Sequence, residues 1–113
     1  KNPAGPWSDP VFVEGADGID SSLFFDDDGS VWYVGNFISS ECLYEGHHGI
    51  YLNELDPVTL QFKGERRIIW DGKKTYSRWI EAPHIYKKDG WYYLLVAEGL
   101  YQPQCADGPL PYH

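Results

Sequence analysis

IEAPHIYKKDGWYYLLVA, residues 80–97, is the stretch on which the fold turns. A carboxylate, Glu81, stands directly before a strand predicted over 83–87. Asp89-Gly90 then supplies a tight-turn pair, because glycine adopts φ > 0 without steric cost. The run 91–97 is rich in aromatic and branched side chains and reads as the return strand. A near copy, IDSSLFFDDDGSVWYV, occupies residues 19–34. Laying Asp28-Gly29 on Asp89-Gly90 superposes the two units without a gap, at an offset of 61 residues. Asp20 then falls on Glu81, Phe24 on Ile85, Phe25 on Tyr86, Val31 on Tyr92 and Trp32 on Tyr93. The chain therefore carries a repeat, and each copy opens with a carboxylate.

The 113 residues suffice for one ordinary domain at most. A hydrophobic content of 42%, with 17% aromatic residues, supports a core. The formal net charge of −8 argues against nucleic acid and anionic membranes as partners, since both select basic patches. No apolar run is long enough to span a membrane, and no signal-peptide pattern opens the sequence. Cys42 and Cys105 lie in unrelated contexts and read as two free thiols in preference to a disulfide. No metal-ligand cluster is evident.

Residues 1–10 are rich in Pro and Gly and read as a loop. Short strands are predicted at 11–14, 22–26, 30–36, 49–56, 60–64 and 67–70, ahead of the hairpin at 83–97. The 49–56 strand, GIYLNELD, alternates well enough to be half-buried. No window holds a 3.6-residue period, so no helix is expected. Seven or eight short strands fit a β-sandwich or a β-propeller. The repeat favours the propeller, because each 61-residue period supplies about four strands, one blade's worth. The chain is then about two blades of a larger all-β domain.

In a propeller, the innermost strands of all blades face one channel. If the strands after Asp20 and Glu81 are innermost, both carboxylates reach one cleft. Neighbouring carboxylates in a partly dry cleft favour one charged and one protonated partner, as glycosidic-bond cleavage requires. The repeat alone leaves another reading open, in which both are strand-start residues that bind backbone N–H groups.

Four segments carry a family resemblance: GPWSDPVFV (5–13), GIDSSLFFDDDGSVWYVGN (18–36), GIYLNELD (49–56) and EAPHIYKKDGWYYLLVAEG (81–99). Together they resemble glycoside hydrolase family 43, of the β-xylosidase and α-L-arabinofuranosidase type. The resemblance implies a five-bladed β-propeller and hydrolysis with inversion by three carboxylates. Asp20 matches the aspartate that orients the acid and raises its proton affinity. Glu81 matches the general acid. The general base would lie in a blade preceding this sequence, so the chain alone is expected to be inactive. The pattern stops at Gly99, so 1–99 reads as a partial propeller domain and 100–113 as an atypical tail.

Trp79 and His84 flank Glu81 in sequence and are candidate substrate contacts; Trp7 is a further aromatic candidate. Asp26-Asp27-Asp28 reads as a solvated hairpin tip, since it lacks the ligand spacing of a calcium loop. His47-His48 reads as part of a polar loop. The expected function is hydrolysis of xylan- or arabinoxylan-derived oligosaccharides without an organic cofactor. The alternative is a non-catalytic carbohydrate-binding β module.

Overall fold

The structure, a computed structural model, describes residues 2–99. Among them are six strands and no helix: β1 (Ser22–Phe25), β2 (Val31–Ile38), β3 (His48–Leu55), β4 (Phe62–Trp70), β5 (Glu81–Lys88) and β6 (Trp91–Ala97). The first four form one antiparallel sheet in chain order, and β5 and β6 form a separate hairpin. β5 packs against β1 and β2. One four-stranded sheet with the first hairpin of the next laid on its face is how consecutive propeller blades stack.

The apolar seam between the two units explains the stacking. Val34, Ile50 and Ile80 are fully buried, and Phe24, Leu52, Ile85, Leu94 and Val96 pack around them. Burying each of the three contributes on the order of 1.5–3 kcal/mol. The opposite face of β3 is covered as well. Tyr51 lies 6.1 Å from Tyr33, ring centre to ring centre, and its hydroxyl donates to the Asp17 carbonyl at 3.0 Å. The Arg66 guanidinium sits 3.9 Å above the Tyr51 ring.

Several expectations change here. β3 is covered on both faces, with Tyr51, Asn53 and Leu55 buried on one and Ile50 on the other, so it is not half-buried. The strands expected at 60–64 and 67–70 are one continuous β4, because register slips opposite Ile50/Tyr51 and Leu52/Glu54 absorb the mismatch. No strand forms at 11–14. That segment is held instead by the side chain of Gln61, which accepts from the Glu14 amide at 3.0 Å and donates to the Phe12 carbonyl at 2.8 Å.

The two hairpins also do not superpose without a gap. Phe24 faces Trp32, but Ile85 faces Leu94, one residue beyond the predicted match to Tyr93. The turns cause the slip. Asp89 (φ 52) and Gly90 (φ 79) form a two-residue turn with both residues left-handed. The first hairpin closes with three residues: the Asp26 amide donates to Ser30 and the Gly29 amide to Asp26, and only Gly29 (φ 87) is left-handed. The strands leading into the turns keep the 61-residue offset, and the strands leaving them do not.

Candidate active site

Asp20 stands two residues before β1, and its backbone is left-handed (φ 53), a conformation aspartate tolerates better than most residues. Its side chain is exposed. Glu81 is the first residue of β5, half-buried, and pairs with Ala97. The next pair is His84 with Leu95, so β5 carries one extra residue there. Such bulges redirect the side chains around them. Each candidate carboxylate therefore lies at an irregular start of a strand.

Two hydrogen bonds fix the relation between these strands. The Ser22 hydroxyl donates to the Pro83 carbonyl, and the Lys87 ammonium donates to Asp26 at 2.9 Å, each across 61 residues. With Ser22 beside Pro83 and Asp26 beside Lys87, β1 and β5 run side by side in the same direction. Asp20 and Glu81, two residues before the first tie, thus stand at the same end of the strand pair.

A further tie lies on the other side of the carboxylates. Asn36, near the end of β2, is 3% exposed. Its Oδ1 accepts from the Ile19 amide at 2.8 Å, and its Nδ2 donates to the Ile80 carbonyl at 3.3 Å. Gly18 (φ 84) allows the approach: a Cβ there would fall 2.1 Å from both the carbonyl oxygen and Oδ1 of Asn36.

Two hollows adjoin this end. One, of about 490 Å³, is lined by residues that include Asp17, Ile19, Phe37 and Arg66. The other, of about 390 Å³, is lined by residues that include Tyr44, Glu45, His48 and Trp79, and both touch Ile38 and His48. Trp79 is half-buried, and its amide donates to Gly46 at 2.8 Å. His84 stands exposed on β5, its ring 6.4 Å from that of Tyr86. Trp7 is 78% exposed.

His47 is buried and structural, not a surface-loop residue. Its Nδ1 accepts from the Leu43 amide at 3.3 Å, which puts the proton on Nε2, 2.9 Å from the Asp71 carbonyl. Cys42 is exposed, and its thiol donates to the Ser39 carbonyl at 3.1 Å. Cys105 and the tail after Gly99 lie outside the described residues, as does Lys1. No group of metal-ligating side chains forms among the described residues.

At the far end of the strand pair the structure holds a cluster the sequence reading missed. Asp26 is no solvated tip residue; its side chain is 11% exposed. It accepts from the Tyr92 hydroxyl at 2.6 Å and from Lys87, which also reaches Asp27 at 2.9 Å. The Tyr92 hydrogen bond, then that of Lys87, holds the Asp26 carboxyl down to about 2, and the hydrogen bonds to Asp26 and then Asp27 push the Lys87 ammonium up. The signal was present, since the 61-residue offset lays Asp26 on Lys87.

The chain belongs to glycosyl hydrolases family 43, whose model matches residues 1–107. It is 48% identical over 101 residues to a xylosidase/arabinosidase of Butyrivibrio fibrisolvens, covering 87% of this chain and 20% of that protein. It is 44% identical over 95 residues to xylosidase/arabinosidase 43B of Humicola insolens, covering 84% and 17%. The crystal structure of a GH43_12 protein from a capybara gut metagenome superposes with a TM-score of 0.80 at 42% identity, over 87% of this chain and 19% of that one. The chain thus spans about a fifth of the length of these relatives. Its fold is part of a five-bladed β-propeller.

Proposed function

We propose that these two blades supply the acid side of an inverting glycosidase acting on xylan- or arabinoxylan-derived saccharides. Glu81 donates its proton to the glycosidic oxygen as the bond to the anomeric carbon breaks. Asp20 remains ionised beside it, orienting Glu81 and favouring its protonated form. Water attacks the anomeric carbon from the opposite face, and a base outside this chain takes the water's proton. The observation that carries the reading is the placement of Asp20 and Glu81 at the same end of two strands that run side by side in a common 61-residue register. The names of the relatives supply the substrate class. Trp79, beside one of the two hollows, and His84 are the candidate sugar contacts within this chain.

Leaving-group dependence tests the acid role. In the full-length polypeptide carrying this sequence, Glu81→Gln should slow cleavage of xylobiose about 10²–10⁴-fold, the range general acid catalysis supplies. An activated aryl xyloside needs that proton less and should be slowed far less. Equal losses on the two substrates would remove Glu81 from the acid role.

A further inference from the structure

Asn36 lies on β2 just beyond the repeated stretch 19–34 and carries no charge, yet it touches the chain immediately before both candidate carboxylates. Ile19, whose amide it binds, precedes Asp20; Ile80, whose carbonyl it binds, precedes Glu81. We infer that Asn36 is a positioning residue, fixing the separation of Asp20 and Glu81 across the blade boundary through these two hydrogen bonds. This inference rests on the acid and orienting roles given above.

The chemistry of the side chain makes the assignment specific. The Ile19 amide can only donate and the Ile80 carbonyl can only accept. A primary amide offers both functions on one short planar group, and its orientation is fixed because the flipped form would lose both bonds. Surroundings strengthen the argument. Asn36 faces Ile50 across the ladder and lies beside Ile80 in the apolar seam. A polar group in such a place is tolerated when its hydrogen bonds are made, and leaving the partners unpaired is costly. Gly18 serves the same contact, since a side chain there would displace Asn36.

On the other side of the carboxylates, the Ser22–Pro83 bond joins the same two backbones two residues after Asp20 and Glu81. Each carboxylate is therefore bracketed, by a bond to Asn36 just before it and by the Ser22–Pro83 bond just after it. All the groups involved are neutral, so the brackets hold unchanged as Glu81 gives up its proton. A shift of about 1 Å in a reacting group can cost on the order of 10²-fold in rate.

The test uses the full-length polypeptide with Asn36→Leu, which keeps volume in the seam but removes both hydrogen bonds. Ser22→Ala, at a half-buried position, unties the other side and decides the matter if Asn36→Leu does not fold. For Asn36→Leu the expected result is a fall in kcat on xylobiose of about 10–100-fold, with KM within about 2-fold and an activated aryl xyloside slowed less than about 3-fold. Ser22→Ala should show the same pattern more weakly. A purely structural role would lower the melting temperature and slow both substrates equally, and that result overturns the inference. Glu81→Gln measured alongside separates the two levels. If Glu81→Gln keeps its leaving-group dependence while the Asn36 and Ser22 variants lack it, the inference alone falls. If Glu81→Gln lacks it, the reading of the site falls and takes the inference with it.

Discussion

The two ends of the β1–β5 pair are held together by different chemistry. At the carboxylate end the ties are neutral: an amide of Asn36, and a hydroxyl of Ser22 bound to a carbonyl. At the turn end they are ionic, with Lys87 between Asp26 and Asp27 and Tyr92 donating to Asp26. The difference is physically apt. In the proposed roles of Asp20 and Glu81, a charge in the tie itself would bear on proton transfer, whereas a neutral amide would not. At the turn end no proton transfer is required, and charge can serve as the fastener.

A pair of glycines sharpens this comparison most strongly. Gly18 and Gly29 share nearly the same φ, 84 and 87, but Gly18 abuts Asn36 while nothing lies within 4 Å of a Cβ placed on Gly29. Gly29→Ala should cost only the left-handed backbone penalty, about 1–2 kcal/mol. Gly18→Ala adds a steric clash to that penalty and should cost about 3 kcal/mol or more. Chemical denaturation of the two variants checks the gap; equal costs would mean that Gly18 is a turn residue and not a seat for Asn36.

A smaller effect is expected at the turn end, and pH brings it out. Asp26 has a folded value near 2, below its ordinary 3.8. Its contribution to stability is present above about pH 4 and is lost as pH falls toward 2. Lys87 is shifted upward, so its contribution is intact below 10.5 and is lost only as pH rises beyond that. The fastener is therefore constant across the neutral range. Lys87→Met should lower neutral-pH stability only modestly, because Lys87 is partly exposed and solvent screens the pair. It should make the decline between pH 4 and 2 shallower, as followed by thermal melts across that range. A decline as steep as in the unsubstituted protein would show that Lys87 does not depress Asp26.

The parts legible in the sequence are those set by local rules. Alternation and the Asp-Gly pair placed both hairpins, and the common offset put Asp20 and Glu81 at matching ends of β1 and β5. What escaped depends on distances between elements. A difference of one turn residue moved Leu94, not Tyr93, opposite Ile85. The β4 irregularities resemble a break when only the apolar pattern of 60–70 is read. Asn36 looks like an ordinary strand-end polar residue until the neighbouring blade brings the Ile80 carbonyl to it.

The most direct test of the account is a double-substitution cycle on the two carboxylates. Asp20→Asn, Glu81→Gln and the double variant of the full-length polypeptide are compared by kcat/KM on xylobiose. Groups that act as a unit give strongly non-additive losses. If the two blades bring Asp20 and Glu81 together for one proton transfer, the double variant should be no more than about 3-fold slower than Glu81→Gln alone. A double variant slower by the full product of the two single losses would contradict the account.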